Sequence, residues 1–80
     1  MEEISFAAYF ERDVLPKRPY LRKAWCIQVV REPVREVQQP DGRWRFWGIV
    51  TELGDRYLRV ITLPDRVTVL NAFPDRRFRP

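Results

Sequence analysis

The second half of this chain is cut at short intervals by turn chemistry: Pro40-Asp41-Gly42, Gly54-Asp55 and Pro64-Asp65 leave pieces too short for long helices. Between these marks apolar and polar residues alternate with a period of two, the pattern of a half-buried strand. Strands are therefore expected over residues 34–39, 43–53, 56–63 and 67–73. Connections this short join antiparallel neighbours, so the four form a meander.

The first half reads differently. Ser5 can cap a short helix carrying Phe6, Tyr9, Phe10 and Val14 on one face, although ISFAAYF would also suit an edge strand. A second helix is expected over residues 20–31, with Leu21, Trp25 and Val29 in a stripe and Pro33 ending it. Ile27, Val29 and Val30 are β-branched, so packing must hold this helix where propensity does not. The fold class expected is α+β: two N-terminal helices followed by a four-stranded antiparallel meander sheet covered on one face. With 80 residues and no long linker or repeat, residues 1–80 form a single domain.

Composition removes several kinds of chemistry. The chain has one cysteine and no histidine, which excludes an internal disulfide, a Cys/His zinc site and His-dependent triads. Cys26 lies in the apolar run AWCIQVV, where a buried inert thiol is expected over a catalytic nucleophile because no histidine exists to activate it. No metal or cofactor is expected. No window approaches the roughly 20 apolar residues of a membrane span, and MEEISFAAYF starts acidic, unlike a secretory leader, so a cytoplasmic protein is expected. The formal net charge is +4 and arginine outnumbers lysine, which favours nucleic acid over a membrane surface as partner.

In the third expected strand, Leu58, Val60 and Thr62 point to one face and Tyr57, Arg59 and Ile61 to the other. The first set suits the helices, which leaves Arg59 on the free face between Tyr57 and Ile61. The preceding strand carries Arg43-Trp44-Arg45-Phe46-Trp47 before Gly48, where a bulge could shift the alternation. Arg43 and Arg45 interleaved with aromatics can grip phosphates while rings stack on bases; equally, the rings can be core and the arginines a solvated face. Lys17 and Arg18, between Pro16 and Pro19, form either a rigid basic clamp or an ordinary connector. The three glycines belong to turns or a strand kink, and no Walker-type phosphate loop occurs.

Taken in order, FERDVLPKRPYL, PDGRWRFWG, RYLRVITL and NAFPDRRF resemble small bacterial proteins grouped with the RelE-type toxins, in the ribonuclease superfamily that includes barnase-like and colicin-like nucleases. The resemblance spans Phe10 to Phe78. It implies a sheet that cradles RNA, an antitoxin-like protein partner, and a metal-independent endoribonuclease cleaving by attack of a ribose 2′-OH on the adjacent phosphate. Residue by residue it implies that Arg59 and Arg76 bind the scissile phosphate, that Lys17 and Arg18 hold the backbone, that Asn71 donates to a phosphate or base, and that Asp75 acts as a base or orients Arg76. Arg43, Arg45 and Tyr57 would add RNA contacts from the free face. The chain departs from the pattern in having no tyrosine after Tyr57, so proton transfer lacks a group there. The alternative is a non-enzymatic module that pairs with a protein or with a second copy, as a homodimer, through the open sheet face. In either case Phe73 and Phe78 would anchor the tail by burial, and the site reading turns on whether Arg76 faces Arg59.

Overall fold

The computed structural model describes residues 3–80; Met1 and Glu2, part of the acidic start, lie outside them. The fold is α+β, but its sheet has five strands, is mixed, and is backed by a single α-helix. The strands are β1 (Ser5–Phe6), β2 (Arg35–Gln38), β3 (Trp44–Val50), β4 (Arg56–Thr62) and β5 (Thr68–Pro74), in the order β1-β5-β4-β3-β2. The helix α1 spans Lys23–Arg31. The expected meander is present as β2 to β5, all antiparallel.

The first correction concerns the N-terminal helix. Ser5–Phe6 is a strand parallel to β5, with Ser5 N–H donating to Val67 O at 2.8 Å and Ala7 N–H to Val69 O at 2.9 Å. Ser5 Oγ lies 3.2 Å from Thr68 Oγ1 and caps no helix. An unpaired β5 edge offers these N–H and C=O partners, and satisfying them outweighs a weak local helix preference. What remains is one wide π turn at Phe10–Val14, closed by Leu15 N–H to Phe10 O at 2.9 Å. Phe10 and Val14 are buried as the spacing of four requires, while Tyr9 is exposed.

The second correction is the start of α1, three residues later than expected. Arg22 is extended, with φ −120° and ψ 137°, and follows the turn set by Pro19. Leu21 nevertheless joins Trp25 and Val29 in the core, so the stripe survives although its first member precedes the helix. The third correction lies in the sheet. No bulge occurs at Gly48; it is the place where α1 comes closest, since a Cβ there would stand 3.0 Å from Val29 Cγ2. The bulge is in β5, where Val69 and Asn71 face Thr62 and Ile61 and leave Leu70 as the extra residue. The strand expected to run to residue 53 stops at Val50 and continues as a 3-10 turn, Thr51–Leu53, into Gly54 and Asp55, both at positive φ.

Cross-strand partners share a face, so the register sorts every side chain. Toward α1 point Phe46, Gly48 and Val50 of β3, Leu58, Val60 and Thr62 of β4, and Val69 and Ala72 of β5. With Phe10, Val14, Leu21, Trp25, Cys26 and Val29 these form the core. At the far edge β2 is exposed at all four positions.

Candidate functional site

The opposite face of the sheet is organised in rows. One row runs Arg35, Trp47, Arg59, Phe73 from β2 to β5, alternating cation and aromatic. The Arg59 guanidinium carbon lies 5.4 Å from the Trp47 ring centre and 5.0 Å from that of Phe73, whose ring also has Arg18 at 5.9 Å. The next row is Val37, Arg45, Ile61 and Asn71, with Arg45 Nε donating to Gln39 Oε1 at 3.0 Å.

Part of this face is covered, a further correction to the expected arrangement, while Val37 and Ile49 on it stay exposed. After β5 the chain turns back over it. Asp75 N–H donates to Tyr57 O at 2.9 Å, Asp75 Oδ1 accepts from Arg77 N–H at 3.1 Å, and Phe78 N–H reaches Asp75 O at 3.4 Å. This tight turn delivers Phe78 onto Trp47, stacked at 5.0 Å and 14°, with Tyr57 edge-on at 5.0 Å and Arg35 above at 5.2 Å. Phe78 is 8% exposed, so the tail is anchored by burial. Phe73 is only half-buried and serves as a surface for Arg18 and Arg59.

Asp75 closes the arrangement. Its Oδ2 accepts from Trp47 Nε1 at 2.9 Å and from Arg59 Nε and Nη2 at 3.1 and 2.9 Å, and its side chain is 9% exposed. Partial desolvation acts to raise its pKa. The hydrogen bonds from Trp47, Arg59 and the Arg77 N–H, with the Arg59 charge, outweigh that and hold it below the ordinary carboxylate value. Asp75 is therefore an ionised structural acceptor, and a weak base. Arg59 has its charge met by a carboxylate of the same chain.

Arg76 does not join Arg59. It lines a cleft of about 430 Å³ with Arg56, Tyr57, Pro74, Asp75, Phe78, Arg79 and Pro80; Asp75, although part of this lining, has a side chain 9% exposed and turned to Trp47 and Arg59. A second cleft, of about 450 Å³, is lined by Tyr20, Leu53, Arg56, Pro74 and Arg76. The shared Arg56, Pro74 and Arg76 make the two one trough beside the β4–β5 end of the sheet. Among the described residues no carboxylate forms an ion pair with Arg56, Arg76 or Arg79. Local structure explains the cluster: Arg56 opens β4 directly after the Gly54-Asp55 turn, and Arg76 sits in the turn that Asp75 braces.

The remaining sequence-predicted residues are scattered. Lys17 is exposed on the connector, and Arg18 is half-buried against Phe73. Arg43 and Asn71 line a separate, smaller pocket of about 280 Å³ with Tyr9, Gln39, Ile61 and Leu70. Asn71 Oδ1 accepts from Ala72 N–H at 2.9 Å, and Arg43 lies 3.8 Å from Asp41. Of the RWRFW run, Phe46 and Trp47 are buried, so its rings are packing and not a stacking platform. Trp44 is half-covered, with the Arg66 guanidinium carbon 4.1 Å from its ring centre and Arg66 donating to Glu36 at 2.6 Å. Arg56 and Arg79 were not anticipated; the signal was an arginine beginning a strand after a tight turn, and another closing the tail.

Burial drives the Cys26 thiol up to about 12, against a weaker backbone hydrogen bond, so it is no nucleophile. Among the described residues no three carboxylate or thiol ligands come together, and no helix is long and apolar enough to cross a membrane. Comparison of the chain with models of protein families, with curated proteins and with solved structures finds no match.

Proposed function

We propose that this protein is an RNA-binding domain that grips the phosphate backbone in the trough carried by Arg56, Arg76 and Arg79. The observation that supports this most is the grouping of three guanidiniums, free of ion pairs with the described carboxylates, around clefts that also hold Tyr57 and Tyr20. Arginine's planar fork suits phosphate oxygens, and aromatic rings beside it suit bases. The formal charge of +4 favours encounter with a polyanion.

Binding, as opposed to cleavage, is the function the geometry favours. A ribonuclease of the kind the sequence resembles needs a group to take the 2′-OH proton. Asp75, the acid that lines the trough, is committed to Trp47 and Arg59 and held ionised as a weak base. Retention of a nucleic-acid strand asks for no such group.

The test is anisotropy of a labelled single-stranded oligonucleotide of RNA across a salt series. Wild type binds, with affinity falling as salt rises; Arg56→Ala/Arg76→Ala binds more weakly and loses about 0.7–1.4 from the salt slope, roughly 0.7 for each phosphate no longer neutralised on a single strand, the lower figure applying where both arginines meet one phosphate. Absence of salt-dependent binding by wild type overturns the reading. Incubation with total RNA, followed on a gel, tests cleavage separately.

A further inference from the structure

The trough has a symmetry of chemistry that the phosphate reading does not use. Its middle, Arg56, Pro74 and Arg76, belongs to both clefts; one end holds Tyr57 and the other Tyr20. A cation pair between two aromatic rings matches one step of a nucleic-acid strand: a phosphodiester with a base on either side. We infer that the trough receives a single-stranded dinucleotide step, its phosphate on Arg56 and Arg76 and its two bases against Tyr20 and Tyr57.

Each part is held ready. Tyr20 is 44% exposed although large and aromatic, and its backbone is held by Pro19 and by the turn bond from Leu21 N–H to Arg18 O at 2.9 Å. With only two side-chain torsions, a tyrosine on such a backbone loses little freedom on stacking. Tyr57 is half-exposed, and its ring is oriented by the edge-on contact with Phe78, itself stacked on Trp47. Pro74 ends β5 between the two and gives the trough a stiff wall. Each half, about 430 and 450 Å³, falls in the range of small-ligand sites.

Single strands follow from this arrangement. In a duplex each base is stacked and paired, so two successive bases cannot offer their faces to separate rings, whereas an unpaired strand can splay them. Arg79 at the Tyr57 end is placed to meet the next phosphate along.

This inference rests on the RNA-binding reading, and its test separates the two. Binding of a ten-nucleotide oligouridine is measured for wild type, Tyr20→Ala, Tyr20→Phe, Tyr57→Phe and Arg56→Ala/Arg76→Ala. Competitors are the dinucleoside monophosphate UpU, inorganic phosphate, a duplex of equal length and the matching deoxyoligonucleotide. Tyr20→Ala is expected to weaken binding about 5- to 150-fold with an unchanged salt slope, because stacking and not charge is lost. The Phe variants keep binding, UpU competes where equal inorganic phosphate does not, and the duplex competes poorly. Competition by the deoxyoligonucleotide upholds the inference, since the step described uses no 2′-hydroxyl. If Tyr20→Ala binds as wild type while the double arginine variant fails, or if the duplex competes as well as the single strand, the dinucleotide step is overturned and RNA binding stands. If wild type binds no nucleic acid, both fall.

Discussion

Replacing Asp75 by alanine should be among the most damaging single changes on the tail-covered part of the sheet face. The substitution removes the acceptor of three side-chain hydrogen bonds, from Trp47 Nε1 and from Arg59 Nε and Nη2, and the brace to Arg77 N–H. Breaking a buried pair by removing one partner costs about 3–5 kcal/mol. Arg59, at 26% side-chain exposure, can regain some hydration, which lowers the figure, whereas the buried indole N–H cannot. The expected loss is about 2–4 kcal/mol. With a urea slope of about 1 kcal/mol per molar for a domain this small, the midpoint should fall by about 2–4 M, or the variant should be unfolded in water. Asp75→Asn keeps an acceptor for Trp47 but not the charge, and should lose about 1–2 kcal/mol. The pH dependence has a definite sign. Because the folded-state pKa of Asp75 lies below its unfolded value, its contribution is fully present above about pH 4–5 and is lost as pH falls through the folded pKa. The difference between wild type and Asp75→Asn should therefore shrink in acid. Tryptophan-fluorescence denaturation at pH 7 and pH 3 measures both. A loss under about 0.5 kcal/mol for Asp75→Ala at pH 7, within the range of ordinary surface changes, would refute the account of the tail as a lock.

Phe78→Ala removes a buried ring stacked on Trp47 and should cost about 3 kcal/mol, read by thermal or urea unfolding; an unchanged melting temperature would mean that the tail is not docked. Gly48→Ala brings a methyl to 3.0 Å from Val29 Cγ2 and should cost about 1–3 kcal/mol, a penalty that should largely vanish when the same change is made in a Val29→Ala background, a coupling read from a double-mutant cycle that a purely conformational effect would not show. Cys26, fully buried with its thiol pKa pushed up to about 12, should resist a disulfide thiol reagent at pH 8 in the native protein and react once per chain in denaturant.

The parts of the fold legible in the sequence were those governed by neighbours along the chain. Gly42 and Gly54 at positive φ mark two of the three hairpin turns, and the alternation from Tyr57 to Thr62 assigns both faces of β4. Leu21, Trp25 and Val29 were core by spacing, whether or not Leu21 was helical. What escaped was governed by distant partners. Phe6, Phe10 and Val14 satisfy a helical period, yet Ser5–Phe6 answers to Thr68 and Val69, more than 60 residues away, and no local pattern reports that demand. Trp47 reads equally as a core ring or a base-stacking one, and the choice is made by Phe78, which folds onto it from 31 residues further on. The candidate site suffered the same way. Arg59 and Arg76 look equivalent as cations beside aromatics, but the turn at Asp75 sends its carboxylate to Arg59 and leaves Arg76 outside with Arg56.

The most direct test of the central claim is a two-dimensional amide NMR titration of the intact protein with a short single-stranded oligouridine. The trough account predicts chemical-shift changes concentrated at Tyr20, Leu53, Arg56, Tyr57, Arg76 and Arg79, with β2 and the Arg43 to Asn71 pocket unmoved. Shifts centred on Arg43, Arg45 and Asn71, or no shifts at millimolar oligonucleotide in low salt, would contradict it.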